Sequence, residues 1–384
     1  MTRFIVTGAR ILASGGWLDD HCLIIENDCI AAVIPVAAVP RDIGTIALGG
    51  GCLIPGFIDT QVNGGGGVLF NDAPTVEGLA TMAAAHRQFG TTAMVPTLIS
   101  DNLNKVAQAI AAVDAAIEAG IPGIIGIHLE GPFLSKAKRG IHDSAKFRTL
   151  DDEAIALLSS LKNGRTLVTL APEEAPSGAI ARLVERGVIV SAAHSMATFE
   201  QMEAAIEEGL TGITHLFNAM TALESRAPGM VGAAFAHPLF AGIIVDGHHV
   251  HAGALKAAYR AKGAGELMLV TDAMSTVGSP LTAFTLGTAT ITQAGGALRS
   301  ADGTLAGSTL SMDQALRNAV DMMRIDLAEA SRMASTTPAR FLGLEDRGSI
   351  AVGQVADLVH LDDAMAVRQV WCAGEAKSFP SSRT

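Results

Sequence analysis

Aromatic side chains are scarce: Phe, Trp and Tyr together make up 4% of the 384 residues. A core must therefore come mainly from Ala, Val, Leu and Ile, within a hydrophobic fraction of 49%. Charged residues are also few, at 17%, and a chain this apolar is not disordered. Positive charge is in deficit, with 27 Lys and Arg against 38 Asp and Glu and a formal net charge of -11. Nucleic acid and anionic membrane surfaces need clustered cations, so the balance counts against both as partners. A phosphorylated small molecule stays open, provided its cations are local. Cysteine is limited to Cys22, Cys29, Cys52 and Cys372, none of them in a C-x-x-C pair. They are expected to be reduced and mostly buried in a cytoplasmic protein. No apolar run of about 18 residues occurs, so no transmembrane helix is expected. A signal peptide is not expected either, because the first apolar stretch, Phe4–Leu12, is broken by Arg10 and reads as strand. Glycine motifs for nucleotides are missing: the run Gly64–Gly67 fits neither G-x-G-x-x-G nor a Walker loop, and no Gly-Lys pair exists. Absence of G-x-S-x-G argues against a serine α/β-hydrolase, and no H-E-x-x-H is present.

What is there has a clear order. The length suits one large domain plus a smaller one. Short β-rich runs open the chain (Phe4–Leu12, Cys22–Glu26, Ala31–Val36), and the stretch Gly348–Trp371 has the same character. Two β-rich ends around a different middle predict that the termini meet in one small β-sandwich, residues 1–53 with 349–384. In between, residues 54–348 alternate strand and helix. Candidate strands are Gly56–Gln61, Ala93–Thr97, Ile124–Glu130, Leu167–Ala171, Val188–His194, Gly212–His215, Gly242–Asp246 and Leu267–Asp272. The clearest helices are Val76–Phe89, Leu103–Ala119, Asp151–Leu161, Gly178–Arg186 and Thr198–Glu208. Eight such units fit an α/β fold, a (β/α)8 TIM-like barrel, whose usual size is about 250 residues. An open doubly wound sheet is the alternative. The stretch Phe284–Leu305 breaks the rhythm and reads as a hairpin-like insertion after the eighth strand.

Polar residues fall at the strand ends. Gln61 and Asn63 end or follow strand one, and Glu130, His194, His215 and Asp272 end strands three, five, six and eight. Asp246 and His249 follow strand seven. In a barrel these ends converge on one mouth, where active sites are built. Two imidazoles and a carboxylate, here Glu130, His194 and His215, are a common set for catalytic zinc with a fourth position left for water. Such a metal lowers the pKa of that water and polarises a carbonyl. Each histidine alone reads more readily as a core residue bonded to backbone; three such residues at three separate strand ends make that the weaker reading. Asp272 suits a general base, and also a helix N-cap; position does not separate the two. Gly64–Gly67 either lets substrate approach the backbone or is a flexible loop. Arg226 offers a fork that matches phosphate, or pairs with Glu224 at the surface.

Several segments together resemble N-acetylglucosamine-6-phosphate deacetylases of the amidohydrolase superfamily. They are Pro55–Gly64, His128–Phe133 (HLEGPF), Ala193–Ser195, Thr214–Met220 (THLFNAM), Asp246–Val250, Thr271–Met274 and Leu305–Ser308. HLEGPF and THLFNAM are specific to this resemblance, whereas the Pro-Gly-Phe-Ile-Asp opening is shared more widely. The resemblance implies that Glu130, His194 and His215 bind one divalent metal and that Asp272 is the catalytic acid and base. His142 would bond the substrate and help polarise its acetyl carbonyl. Arg226 and His249 would hold the 6-phosphate, assisted by Asn218 and the Ala219 backbone. Gln61, Asn63, Leu305 and Ala306 complete the expected substrate-binding set. A homodimer is implied as well, with Arg226 in a loop that reaches the neighbouring subunit. Many amidohydrolases carry His-x-His where this chain has Gln61 and Asn63. Side-chain amides are weak ligands, so one tight site is expected. Zn²⁺ is favoured, and Fe²⁺, Co²⁺ or Mn²⁺ would suit similar ligands. The alternatives are an N-acetylgalactosamine-6-phosphate deacetylase, a different amidohydrolase (which predicts a bridging lysine or His-x-His), and a sugar-phosphate binding protein without turnover.

Overall fold

The computed structural model describes residues 2–40 and 42–379. Residues 1, 41 and 380–384 of the expected sandwich lie outside the described residues. Eight parallel strands form the barrel in sequence order: Phe57–Val62, Thr91–Ile99, Gly126–Glu130, Arg165–Leu170, Ile189–Ala192, Gly212–Ile213, Phe240–Ile243 and Leu267–Leu269. Each pairs with its neighbour in parallel register, for example His128 with Leu167 and Leu129 with Val168. The first and last strands are joined by a single parallel bridge, Val62 to Ala273. This is the closed barrel expected over the open sheet. Every residue of Phe57–Val62 and Thr91–Ile99 is buried, as a sheet covered on both faces requires.

Several of the helices between the strands start at side-chain caps. Thr75 accepts from the Gly78 amide, Asn102 from Lys105 and Asp151 from Ala154. Thr198 and Gln201 form a reciprocal capping box. Two further helices, Gly229–Ala236 and Ala252–Lys262, follow strands six and seven, and Met312–Phe341 adds three short helical segments joined by wider π turns. The insertion is a three-stranded antiparallel sheet, Ala283–Leu286, Ala289–Ala294 and Ala297–Arg299. It has one strand more than a hairpin. Leu298 and Ile291 are buried against Leu69 and Met274, which anchors it over the barrel mouth.

The chain ends build two further sheets. One orders Cys29–Pro35, His21–Glu26, Arg3–Thr7 and Gly44–Ala47. The other orders Glu375–Ser378, Val367–Cys372, Leu358–Leu361, Cys52–Pro55, Arg10–Ala13 and Gly16–Leu18. The run Phe4–Leu12 thus divides between both sheets. Termini meet directly where Ile54 pairs with Val359. Trp371, fully buried, packs with Leu23, Ile25, Leu53 and Leu358. Cys22 and Cys372 are buried, Cys29 and Cys52 partly so, and all four are free. Among the described residues no helix is long and apolar enough to cross a membrane.

Candidate active site

Strands five, six and eight stop short of the residues expected at their ends. His194, His215 and Asp272 each lie two or three residues beyond a strand, at φ of 48°, 35° and 50°. Left-handed backbone at a non-glycine residue is costly and is held only where surroundings fix it. Here it turns three polar side chains inward over the barrel mouth.

Glu130 Oε1 lies 2.9 Å from His215 Nε2 and 3.2 Å from His194 Nε2, and the two Nε2 atoms are 3.1 Å apart. All three residues are buried. The Nδ1–H of His194 donates to the Lys138 carbonyl at 2.8 Å. A carbonyl only accepts, so Nδ1 carries a proton and Nε2 is the nitrogen that faces the Glu130 carboxylate and His215. Three ligand-type atoms brought this close together suit a shared cation. Ligand atoms about 2.0–2.1 Å from a tetrahedral metal are separated by roughly 3.3 Å, close to the spacings found. Backbone anchoring of a ligand imidazole through its other nitrogen is also typical of metal sites. The residues therefore fit a divalent metal, and among the described residues this is the one cluster of three or more ligand-type side chains so arranged.

Asp272 faces that cluster. Its Oδ1 accepts from Asn63 Nδ2 at 2.6 Å and from Gln61 Nε2 at 3.2 Å, while the same Gln61 amide donates to Glu130 Oε2 at 3.3 Å. Gln61 thus bridges the ligand and the candidate base. No helix follows Asp272, so it is not an N-cap. Burial, with the Glu130 charge adding to it, pushes the Asp272 carboxyl up to about 6. Behind it, Asp59 accepts from the Thr271 hydroxyl at 2.5 Å and from the Gln61 and Thr271 amides at 3.2 and 3.3 Å.

His142 is buried, and its ring lies 4.4 Å from that of His194. Its Nδ1 takes the Ser100 amide at 3.4 Å and lies 2.8 Å from the Ser100 hydroxyl. An amide only donates, so the ring proton sits on Nε2. Burial and the neighbouring His194 push its pKa down to about 3, so the ring stays neutral. His249 Nδ1 bonds Asp246 Oδ2 at 2.6 Å, and Asp246 also accepts the His248 and His249 amides. Although burial opposes it, the His249 hydrogen bond holds the Asp246 carboxyl below its ordinary value.

A cavity of about 360 Å³ gathers these groups. Asn63, Glu130, His142, His194, His215, Asn218, Ala219, His249, Asp272 and Leu305 all line it. Gln61 lies just behind, through its bonds to Glu130 and Asp272. Ala306 is fully buried and bonds Leu298 instead of lining the cavity. Arg226 is exposed in a different cavity with Lys138, Thr198 and Pro228, and it makes no ion pair with Glu224 among the described residues. Sequence reasoning missed Arg299 and Thr304, which line the cavity from the insertion, and Ser100, which orients His142. Arg299 and Thr304 lie in the insertion, where no signal marked them, whereas Ser100 directly follows barrel strand Thr91–Ile99 and could have been found by its strand-end position. The glycine run packs internally: a Cβ on Gly64 would lie 2.4 Å from the Val68 carbonyl oxygen and 2.8 Å from the Ser275 amide nitrogen.

The model of the amidohydrolase family matches residues 52–377, and that of the NagA composite domain matches residues 4–53. The chain belongs to the amidohydrolase family. This metal-dependent amidohydrolase is 48% identical to an N-acetylgalactosamine-6-phosphate deacetylase of Shewanella sp. (strain ANA-3), over 97% of this chain and 95% of that one. It is 38% identical to an N-acetylglucosamine-6-phosphate deacetylase of Haemophilus influenzae, over 89% and 90%. Among solved structures, the N-acetylglucosamine-6-phosphate deacetylase from Pasteurella multocida superposes with a TM-score of 0.96 at 34% identity, covering 98% of this chain and 100% of that one.

Proposed function

We propose that this amidohydrolase converts N-acetyl-D-glucosamine 6-phosphate and water into D-glucosamine 6-phosphate and acetate. The observation that carries the reading is one cavity in which Asp272 faces the Glu130–His194–His215 cluster beside a neutral His142. A divalent metal held by Glu130, His194 and His215 would supply Lewis acidity toward water and the acetyl carbonyl. Asp272 takes a proton from the attacking water and returns it to the departing amine nitrogen. His142 donates its Nε2–H to the carbonyl oxygen as negative charge develops there, an effect often worth several kcal/mol. Gln61 and Asn63 hold Asp272 in place. His249, Asn218 and the Ala219 backbone bind the 6-phosphate, and Leu305 closes the sugar pocket while Ala306 packs behind it. Remote binding of this kind positions the carbonyl. Zn²⁺ is the favoured metal, one per chain, since the amides of Gln61 and Asn63 replace stronger second-site ligands. The working unit is a cytoplasmic homodimer, and Arg226, outside its own chain's cavity, serves the phosphate of the second copy.

The galacto epimer is a second reading, favoured by the 48% identity to an N-acetylgalactosamine-6-phosphate deacetylase. Identity alone ranks it ahead, while the acetamide chemistry is common to both. Acetate release from the two epimers and from unphosphorylated N-acetylglucosamine, with metal content determined on the same sample, tests all of this. Turnover of the gluco phosphate is expected, with the unphosphorylated sugar far slower. Faster turnover of the galacto epimer would reassign the substrate. No turnover from protein holding one metal per chain would sink the amino-sugar reading.

A further inference from the structure

The chain's charge is strongly negative, so a dianionic substrate must find its cations at the cavity itself. Two of the lining imidazoles, His194 and His215, belong to the metal cluster. His142 is buried against His194 and Ser100. His249 is paired with the Asp246 carboxylate at 2.6 Å. Glu130 and Asp272 are acidic. Among the described residues lining the cavity, one Lys or Arg is left, Arg299.

We propose that Arg299 supplies, from within the same chain, the permanent positive charge that meets the phosphate of the substrate. It ends the insertion strand Ala297–Arg299. Leu298 is buried in the cluster with Met274 and Leu69, and Arg299, the next residue, is exposed. Its backbone is fixed by an antiparallel bridge to Leu305, which also lines the cavity. Its Nη1 donates to the Gly303 carbonyl at 2.8 Å. That bond orients the guanidinium and leaves most of its five donors free for phosphate oxygens. The preceding turn rests near the phosphate side: a Cβ on Gly296 would lie 3.0 Å from His248 Nε2, next to His249. The insertion thereby carries a binding cation, as well as covering the mouth.

This inference rests on the deacetylase reading, and its test separates the two. In the metal-loaded protein, Arg299→Ala is expected to raise KM for N-acetylglucosamine 6-phosphate at least tenfold with kcat within about threefold. The loss with the unphosphorylated sugar should be several-fold smaller. Arg299→Lys should restore part of the affinity, because a point charge replaces the fork. Calorimetric binding of glucosamine and glucosamine 6-phosphate needs no turnover. If wild-type protein prefers the phosphate and Arg299→Ala abolishes that preference, Arg299 is upheld even where acetate release is absent and the deacetylase reading has failed. An unchanged preference in Arg299→Ala, or an equal loss for both sugars with an unaltered melting temperature, overturns the proposal. So would wild-type protein that shows no preference for the phosphorylated sugar.

Discussion

Asp272 carries the largest share of what a single side chain can be asked to do here. Its carboxylate is fixed by Gln61 and Asn63, so replacing it by the isosteric amide changes proton transfer more than shape. Asp272→Asn is expected to lower kcat by about 10²- to 10⁴-fold, the usual worth of a positioned acid–base. Metal content and affinity for glucosamine 6-phosphate should stay near wild type. Activity near wild type would remove Asp272 from the mechanism. The same residue sets a pH limit. In the proposed mechanism it starts the cycle as carboxylate, and burial together with Glu130 raises its pKa to about 6. A divalent cation at the adjacent cluster acts in the opposite sense, favouring the charged form. The acid limb of kcat/KM should therefore have its midpoint at or below about 6 in the loaded enzyme. A limb centred well above 7 would show that another group controls the rate.

Between elements, the weak place is the seam where the first barrel strand meets the last. One backbone bridge joins them, and Asp59 adds a side-chain clasp from strand one to Thr271, the residue before Asp272. Asp59→Ala leaves the Thr271 and Gln61 amides without an acceptor, at about 1–3 kcal/mol for each unsatisfied buried group. Lower thermal stability and a fall in kcat are expected together, since the clasp also sets the base. Burial raises the Asp59 carboxyl to about 7, although the Thr271 and Gln61 hydrogen bonds work against it. A raised acid binds its proton more tightly folded than unfolded. Its stabilisation is complete below about 3.8 and is lost as pH rises through about 7. Asp59→Asn lacks this titration, so its urea midpoint should decline less than wild type's between pH 5 and 8. Identical pH slopes would mean that Asp59 is already ionised in the fold.

The elements were readable because apolar periodicity reports burial: the pattern overlaps all eight barrel strands and the five clearest helices, with strand seven displaced to Phe240–Ile243 from the expected Gly242–Asp246. Their ends were less readable. Val188–His194 and Leu267–Asp272 scan as unbroken strand, yet the chain leaves the sheet at Ala192 and Leu269. The left-handed turns that follow are occupied by His and Asp, not by the glycine that would have marked them. The clustering of Glu130, His194 and His215 was legible because strand ends of a barrel share one mouth. Arg299 was not, because its place depends on how the insertion folds back over the barrel, and local pattern does not encode that contact. Gly64 misled for a related reason: a glycine signals close approach but not whether the neighbour is substrate or, as here, the backbone at Ser275.

Barrel and terminal sheets are energetically one body. Val359, Leu361, Val367 and Val370 belong to the same buried cluster as Phe57, Met94 and Val113 of the barrel. The Gly56 amide donates to the Asp357 carbonyl, and the Cys372 thiol reaches the Thr92 carbonyl at 3.4 Å. Ending the chain after Gly348 would delete the three strands Leu358–Leu361, Val367–Cys372 and Glu375–Ser378. Leu358, Val359, Leu361, Val370 and Trp371 are each fully buried. Burial of one such side chain contributes roughly 1.5–3 kcal/mol, and five together rival the whole stability of a typical domain, about 5–15 kcal/mol. The strand Cys52–Pro55 would also lose its antiparallel partner directly ahead of barrel strand one. Truncation after Gly348 should therefore remove cooperative unfolding and metal binding together, although no active-site residue is touched. Protein ended there that still melts cooperatively and binds one metal per chain would show that the barrel folds without its terminal sheets, and that the shared core contributes far less than its burial implies.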